Sequence, residues 1–501
     1  MRHVGFVVLF CVVATSSVVT AKIWHVPDEC PTIQAGIDSA VGGDTVLVAD
    51  GTYTGDGNRD IDFTGKPILV TSENGPENCI IDCEGSEEDP HRGFYFQSGE
   101  DSASVVQGFT IKKGWVKGQS PQDLGGGILC YYSSPVIINN IITDNWAIYG
   151  GGIFCWNSIS TILGNVIDSN ACMGNGGGIR CYNSGLYIKE NIIRRNGASS
   201  GGGIECAGWP SPRITNNLIY SNWAGWYGGG IACFYSDPQI DNNTITKNEA
   251  TGNQESRGGG IASIMGSSPT MTNSILWGDS TSTGPEEIYV EEESSITVTY
   301  CDVEGGWPGE GNIDADPFFV TGPLGIYYLS QPPCQQDLSP CVDAGHPDSS
   351  VPEGTTKTCG ACEDVWPVDM GYHYNCPAFP IYLLFDPYQE KVPREGTLDF
   401  EGIYTNFADT LIKAEVVFEA YLPGGTDPVR TFTDTKNIFP GRDTLYYALQ
   451  VPLQAKKKAG YLFKGMIIVP PGSGEVVSED SFEFEVKPAM ESLPFGFEWV
   501  E

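Results

Sequence analysis

One short motif, three glycines followed by Ile-x-Cys, recurs at nearly constant spacing through the middle of the chain. The copies are Gly125–Cys130, Gly150–Cys155, Gly176–Cys181, Gly201–Cys206, Gly228–Cys233 and, with serine in place of the cysteine, Gly258–Ser263. Successive cysteines are 25, 26, 25 and 27 residues apart. Two columns of asparagine keep the same spacing, Asn140, Asn165, Asn191, Asn217 and Asn243, and Asn145, Asn170, Asn196, Asn222 and Asn248. A period in this range is typical of a solenoid.

Each repeat is made of short pieces that alternate apolar and polar residues and are broken by Gly, Ser, Asn and Pro. Such alternation with β-branched residues favours strands, and no segment of the repeat carries a helical stripe. We therefore predict an all-β fold, a right-handed parallel β-helix with three short strands in each coil of about 25 residues. Glycine would supply the corners with positive φ.

The repeated columns become stacks in such a coil, because equivalent residues lie about 4.8 Å apart. The motif isoleucines would form an interior ladder, and the asparagines would form ladders at the bends, where Asn bonds to neighbouring main chain. The motif cysteines are interpreted as an interior column of reduced thiols, since parallel in-register Cβ vectors suit a disulfide poorly. Better candidates for disulfides lie outside the column, at Cys79, Cys83, Cys334, Cys341, Cys359, Cys362 and Cys376.

An open β-helix needs caps at its ends. Residues 30–41 have a short amphipathic helix pattern with Ile33, Ile37 and Val41 on one face, followed by a strand and turn. The stretches "PTIQAGIDSAVGGDTVLVADGTY" and "VVQGFTIKKG" and the glycine repeats resemble the pectin-lyase-like right-handed β-helix family of secreted bacterial proteins. "NIDADPFFV" and "SPCVDAG" resemble that family's closing coils. The likeness to the repeats of chlamydial polymorphic outer-membrane proteins is weaker, because no membrane β-barrel is evident here.

Four regions are predicted along the chain. Residues 1–21 have the basic start, short apolar run and small residues of a signal peptide, so we expect a secreted, extracellular or cell-surface protein, with the periplasm as an alternative. Residues 22–376 would form the β-helix. Residues 377–488 lose the repeat and show alternating strands such as 412–418 and 481–486, which predict an immunoglobulin-like β-sandwich. Residues 489–501 form an aromatic tail. No segment of the mature chain is long and apolar enough to predict a transmembrane helix.

The chain is strongly acidic, with 27 basic and 63 acidic residues and a formal net charge of −36. Such a surface repels nucleic acid and attracts cations. Calcium is the one cofactor for which the sequence offers a site: Asp56, Asn58, Asp60 and Asp62 alternate oxygen ligands as a calcium loop does. The glycine and late glutamate of an EF-hand are missing. An ordinary acidic loop is the alternative interpretation.

No catalytic set is evident. A polysaccharide lyase of this fold would need carboxylates for calcium and a Lys or Arg to abstract a proton. The best basic cluster is Arg180, Arg194 and Arg195, with Arg213 one coil further, but no trio of aspartates accompanies it. We interpret Arg180, Arg194 and Arg195 as solvent-facing spacers. The signatures of polygalacturonases, including Gly-His-Gly and Arg-Ile-Lys, are absent from the chain.

One outward column is aromatic. If the ladder cysteines point inward, the residues after them point outward: Tyr131, Trp156, Tyr182, Ala207 and Phe234, with Trp209 beside the gap at Ala207 and with Tyr132 and Tyr235 next to the column. The column spans about 19 Å, enough to follow a short glycan chain. Aromatic faces rimmed by polar groups suit sugar rings. The alternative is that the stacked rings only stabilise the coil surface.

Three functions follow as hypotheses. The first is a secreted or cell-surface protein that binds carbohydrate or another surface component without catalysis. The second is a polysaccharide lyase or glycoside hydrolase that acts on an extracellular polymer. The third is a structural or adhesive spacer at the cell surface. The fold alone does not choose among them, because it hosts all three kinds of activity.

Overall fold

The computed structural model describes residues 21–374, except 253–254, 323, 333–334, 359–363 and 365, together with eight strands between residues 381 and 487. The predicted signal peptide, apart from Ala21, lies outside the described residues, as do the tail and Cys334, Cys359, Cys362 and Cys376.

Residues 23–303 wind into a right-handed parallel β-helix, as predicted. Its strands stack into four sheets, which we name sheets A to D. Sheet A contains Ile23–Val26, Thr45–Val48, Leu69–Ser72, Val105–Gln107, Val136–Ile138, Thr161–Leu163, Tyr187–Lys189, Arg213–Thr215, Gln239–Asp241, Thr270–Thr272 and Thr297–Thr299. Sheet B contains Gly51–Tyr53, Cys79–Asp82, Thr110–Lys112, Ile141–Thr143, Val166–Asp168, Ile192–Arg194, Leu218–Tyr220, Thr244–Thr246, Ile275–Trp277 and Asp302–Val303.

Sheets C and D close each coil. Sheet C contains Phe94–Phe96, Ile128–Tyr131, Ile153–Trp156, Ile179–Tyr182, Ile204–Ala207, Ile231–Phe234, Ile261–Ile264 and Ile288–Val290. Sheet D contains the shorter strands Trp146–Ala147, Ala171–Cys172, Gly197–Ser200, Trp223–Tyr227, Glu249–Ala250, Ser280–Thr281 and Gly284–Pro285. Sheets A, B and C supply the three strands per coil that the sequence predicts. Sheet D adds a fourth in the repeat region, because the residues after the second asparagine column also run extended.

The glycine triplets serve two purposes. The first glycine of each triplet has a positive φ, for example +65° at Gly150. The second and third lie against the next coil: a Cβ on Gly151 would stand 2.5 Å from the carbonyl oxygen of Ala171, and one on Gly152 would stand 2.6 Å from that of Gly178. A side chain at either place would push successive coils apart, so glycine sets the rise of the helix at this corner.

The interior is a continuous apolar core made of stacked ladders. The motif isoleucines and the motif cysteines pair in register and are fully buried, which confirms both predicted columns. The eleven cysteines in the described part of the chain are all free. The prediction of disulfides is therefore wrong for Cys79, Cys83 and Cys341: all three thiols are buried and free, and Cys341 Sγ donates a hydrogen bond to Asp302 Oδ2 at 3.1 Å.

Both asparagine ladders are present and buried. In the first, Asn191 Nδ2 donates to Asn217 Oδ1 at 3.0 Å and to the carbonyl oxygen of Ile162 at 2.9 Å, while Asn191 Oδ1 accepts from Asn165 Nδ2. Each side chain thus satisfies main-chain groups that the bend removes from the sheets. The second ladder has the same pattern and ends at Asp279, which takes the place of an asparagine after Asn248.

The N-terminal cap is the helix Ile33–Ser39, whose residues Ile33, Gly36 and Ile37 are buried against the first coil. Thr32 caps it by accepting a hydrogen bond from the N–H of Ala35. The helix ends two residues before Val41, which is half exposed, so the predicted third member of the apolar face lies outside it.

Residues after Val303 return along the outside of the coil. Ile313 forms a bridge with Asp302, so "NIDADPFFV" begins as a partial closing turn, as expected. The hairpin Phe319–Gly322 and Gly325–Leu329 then covers the outer face of sheet B, where Tyr327 and Tyr328 pack near Leu218. This return path therefore shields part of sheet B from solvent.

Residues 368–374, named the return strap, cross three successive coils. The N–H of His373 donates to Asn216 Oδ1, Asn242 Nδ2 donates to the carbonyl oxygen of Asp369, and the N–H of Gly371 donates to the carbonyl oxygen of Asn273. All three asparagines have a positive φ at the corner between sheets A and B. The strap therefore ties neighbouring coils together from outside.

Beyond the β-helix, eight strands pair mainly antiparallel into two sheets. One contains Ile381–Pro387, Thr397–Asn406 and Gly441–Gln450, and the other contains Lys391–Pro393, Val476–Lys487, Tyr461–Ile468, Ile412–Tyr421 and Arg430–Ile438. The strands expected at 412–418 and 481–486 lie within two of these. An immunoglobulin-like sandwich and the boundaries 377 and 488 stay predictions.

Candidate functional site

The outer face of sheet C carries the aromatic column that the sequence predicts. Tyr131, Trp156 and Tyr182 lie side by side on consecutive strands, each directly after an interior cysteine, and each is partly exposed. Tyr132 follows Tyr131 at the end of the strand and is 56% exposed. These four residues are called the aromatic cluster.

The rings of the cluster pack on one another as well as facing solvent. The ring centroids of Tyr131 and Trp156 are 5.6 Å apart at an interplanar angle of 76°, and those of Trp156 and Tyr182 are 5.0 Å apart at 68°. Tyr132 meets Tyr131 edge-on at 4.8 Å. The surface is therefore a ridged aromatic strip rather than a flat platform, with both ring edges and part of each face available to a ligand.

A small apolar core supports the cluster from below. Leu124, Leu129 and Phe154 are buried there, and the half-buried rings of Tyr95 and Tyr149 complete it. Leu129 and Phe154 occupy the position after the motif isoleucine, which also points outward from sheet C. The sequence analysis did not identify this second outward column. The change from Leu and Phe to Arg and Glu at the same position of successive repeats is the signal that could have revealed it.

Arg180 and Glu205 continue that second column as a buried ion pair. Arg180 Nε donates to Glu205 Oε2 at 2.7 Å, and the two side chains are only 12% and 1% exposed. The guanidinium carbon of Arg180 also lies 4.4 Å from the ring centroid of Tyr149 and 5.4 Å from that of Tyr182. The prediction that Arg180 is a solvent-facing spacer is therefore wrong: its charge holds the edge of the aromatic cluster in place.

Arg194 and Arg195 lie on sheet B, away from the aromatic cluster, and both bind Asp168. Arg194 Nε donates to Asp168 at 3.0 Å, and Arg195 makes two hydrogen bonds to the same carboxylate. Burial alone would raise the pKa of Asp168, but the hydrogen bond from Arg195 and the two positive charges hold it below its ordinary value. Arg213 lies on sheet A. The four arginines thus belong to three sheets and do not form one basic cluster.

The remaining aromatic residues predicted for the column lie apart from the cluster. Ala207 is buried and leaves a gap after Tyr182. Trp209 is 62% exposed beyond the gap, and the ring of Phe234 pairs with Tyr227 at 6.5 Å. Within the described part of the chain, neither ring contacts Tyr182. A ligand would meet them only if it extended past the cluster.

The predicted calcium loop is turned toward several separate partners. Asp56 pairs with Arg59, and Asn58 accepts a hydrogen bond from the N–H of Ile33. Asp60 contacts His91 and accepts from the N–H of Arg92. Asp62 accepts from the side chain of Gln97 and from the N–H of Thr64. Asn58 is buried beneath the start of the capping helix, so its role there is to brace that helix. Among the described residues, no three His, Cys, Asp or Glu side chains are arranged to hold a metal ion. The calcium prediction gains no support from this arrangement.

One family model matches part of this chain. Residues 101–245 match the family described as "Right handed beta helix region". This range includes the first five glycine motifs, the whole first asparagine column and the second column as far as Asn222. Among curated proteins, none matches this chain. Within residues 21–374 and the described strands beyond, no helix has the length and apolar character needed to cross a membrane.

Several solved structures share distant likeness. A mutant form of the PL6 family alginate lyase AlyGC is 12% identical, with 75% of this chain and 62% of that chain covered and a TM-score of 0.27. The CARDB domain of a Pyrococcus furiosus protein is 12% identical over 22% of this chain and 91% of that chain, with a TM-score of 0.17. A β-glucosidase from Listeria innocua is 15% identical over 24% and 18%, with a TM-score of 0.16. The chain covers less than two thirds of the lyase and of the glucosidase.

Proposed function

We propose that this chain is a secreted β-helix protein that binds a glycan chain along the outer face of sheet C without cleaving it; the match of residues 101–245 to the right-handed β-helix model supports the fold on which this proposal rests. The observation that carries the proposal is the aromatic cluster, a partly exposed strip of one Trp and three Tyr rings across two coil steps. Tyr and Trp offer an apolar face to the C–H groups of a sugar and a polar group to its hydroxyls.

The buried ion pair beside the cluster supports binding rather than proton abstraction. Arg180 is the basic residue nearest the rings, and its guanidinium is occupied by the Glu205 carboxylate at 2.7 Å. A general base must be able to accept a proton from a bound substrate. A guanidinium fixed in this manner serves to order Tyr149 and Tyr182.

A panel of neutral and acidic glycans would test the proposal. The double variant Trp156→Ala and Tyr182→Ala should weaken binding of the preferred glycan by at least about tenfold, because it removes two of the four rings. Tyr132→Ala, at a more exposed ring, should weaken it by about threefold with no effect on folding. Trp226→Ala, an equally large exposed residue on sheet D, is the matched control and should bind as the wild type does.

Two results would contradict the proposal. The first is that the wild-type protein binds no glycan of the panel, or that the double variant binds as well as the wild type while remaining folded. The second is the appearance of new reducing ends or unsaturated products when the protein is incubated with the same polymers, with or without calcium. The second result would favour a polysaccharide lyase or glycoside hydrolase instead.

A further inference from the structure

A cavity of about 430 Å³ opens on the outer face of sheet A, on a different side of the coil from the aromatic cluster. It crosses three consecutive strands, Thr161–Leu163, Tyr187–Lys189 and Arg213–Thr215, and Glu190 lies at the end of the middle strand. Glu353 closes one side of it. Thr355, two residues later, pairs with Tyr374 through two backbone hydrogen bonds of 2.8 Å, so the end of the return strap positions this wall.

Tyr187 is the apolar surface of the cavity. Tyr187 is 51% exposed, whereas most large apolar residues of this β-helix are buried in its core. In the register of sheet A, Thr161 lies beside it on one strand and Arg213 on the other. The guanidinium carbon of Arg213 is 5.9 Å from the ring centroid, so the ring is held from one side, and the smaller Thr161 leaves more room on the other.

The charges of the lining balance. Arg213 and Lys189 contribute two positive charges and Glu190 and Glu353 two negative charges. Lys189 Nζ lies 2.7 Å from Glu190 Oε1, whereas Arg213 takes part in none of the ion pairs that join described residues. The charge of Arg213 opposes the rise that burial causes in the pKa of Asp241 on the next strand, but no hydrogen bond joins the two side chains. The exposed guanidinium therefore keeps N–H groups available to a ligand.

This combination decides the class of ligand. An acidic ligand would meet two carboxylates in a chain with a net charge of −36, and a cationic ligand would meet Arg213 and Lys189. A neutral sugar ring needs both donors and acceptors, since each hydroxyl donates one hydrogen bond and accepts others. The lining provides both, together with a phenol ring for the C–H face, in a volume typical of small-ligand sites.

We infer that the cavity over Tyr187 on sheet A is a second binding site, specific for a neutral hexose unit. Tyr187 stacks on the sugar ring, Arg213 donates to its oxygens, and Glu353 accepts from a hydroxyl on the opposite side. The site goes beyond the proposed function on sheet C and does not depend on it, because the two surfaces share no residue.

Isothermal titration with full-length protein would test the inference. The probes are cellohexaose, mannohexaose and laminarihexaose, with trigalacturonate and a chitosan hexamer as the acidic and cationic comparisons. At least one neutral probe should bind more tightly than both charged probes. Tyr187→Ala and Arg213→Gln should each weaken that binding by about tenfold, and Tyr187→Phe should change it by less than about twofold, because the ring is kept.

The matched control is Gln239→Ala. Gln239 occupies the same column as Tyr187 and Arg213 one coil further along, is exposed, and lies outside the cavity lining. It should leave binding unchanged, and so should the double variant Trp156→Ala and Tyr182→Ala. The inference is overturned if no neutral probe binds at about 10 mM, if Tyr187→Ala binds as the wild type does, or if trigalacturonate binds most tightly. If binding is lost only in the double variant Trp156→Ala and Tyr182→Ala, the inference of a second site is wrong, while the proposed function on sheet C still holds.

Discussion

The backbone N–H of Asp279 donates a hydrogen bond of 3.0 Å to Glu287 Oε1, at the place where the second asparagine ladder ends. Both side chains are buried, and Asp279 Oδ2 and Glu287 Oε2 have no hydrogen-bond partner among the described residues. Burial raises the pKa of Asp279, and burial together with the neighbouring Asp279 carboxylate raises the pKa of Glu287. We therefore expect Glu287 to hold a proton at neutral pH, because burial and the Asp279 carboxylate both raise its pKa.

This proton makes stability depend on pH. Unfolded carboxyl groups titrate at a pKa of about 4, so the folded chain binds more protons above that pH. The contribution of the pair to the free energy of unfolding is therefore complete below about pH 4 and falls as pH rises toward the higher folded pKa. Between pH 5 and pH 8 we expect the wild type to lose up to about 4 kcal/mol through this pair, because one proton held only by the folded state costs about 1.4 kcal/mol for each pH unit. Urea titrations across that range would measure the loss.

Two substitutions distinguish the effect of the Asp279–Glu287 pair on stability from the effects of other titrating groups. Glu287→Gln should flatten the dependence on pH, because only one carboxyl group is left. Asp279→Asn should make the protein more stable at pH 8 by about 1 to 2 kcal/mol. Asparagine keeps the acceptor that Asn248 uses and adds a donor toward Glu287. An unchanged pH profile in Glu287→Gln would show that the proton lies elsewhere.

Gly177 should tolerate no side chain. A Cβ there would stand 2.5 Å from the carbonyl oxygen of Gly202 and 2.7 Å from the backbone of Gly197, on the neighbouring coil. Gly177→Ala should lower the free energy of unfolding by at least about 3 kcal/mol, because backbone cannot move aside without separating the coils. Gly266 has a φ of +75° but open space around it, so Gly266→Ala should cost only about 1 kcal/mol. Equal losses in the two variants would mean that close stacking is not the constraint.

The ion pair of Arg180 and Glu205 should show strong coupling. Arg180→Ala leaves the carboxylate of Glu205 buried without its charge partner and should cost about 4 kcal/mol. Replacing both residues with methionine should cost less than Arg180→Ala alone, since no uncompensated charge remains. A double-mutant cycle in urea would measure the coupling energy. Additive losses in the cycle would argue against a direct pair.

The ladder thiols should be present in reduced form and unreactive until the chain unfolds. Burial raises the pKa of Cys181 and of Cys130, so neither forms a thiolate near neutral pH. A thiol reagent should react slowly with the native protein and should titrate all five ladder cysteines after denaturation without reductant. A denatured protein with no titratable thiols would contradict the reduced column.

The sequence predicted those parts of the fold that repeat. A side chain that recurs every 25 to 27 residues has the same neighbours in each coil, so the isoleucine, cysteine and asparagine columns of residues 125–263 could be placed inside or outside without coordinates. The aromatic cluster followed from the same alternation, because a residue next to an inward cysteine must point outward.

Contacts that do not repeat could not be predicted in the same way. The sequence suggested that Arg180 faces solvent. Its partner, Glu205, occurs only once in its column, in the next coil, so the repeat pattern could not reveal the ion pair. Asp279 lies 31 residues after Asn248 rather than 26, so the longer loop between them hid its place in the ladder. The return strap was missed for a related reason: His373 and Asn216 are 157 residues apart, and no periodicity connects them.

That strap has a mechanical consequence. A bare solenoid can fray from its end, losing one turn after another, since each turn touches only the next. Here the return strap is hydrogen-bonded to three successive turns at Asn216, Asn242 and Asn273, so none of these turns can separate before its bonds to the strap break. A force applied to the chain beyond residue 374 would act first on the return strap. The contacts that resist unwinding are therefore located at the point where the force is applied.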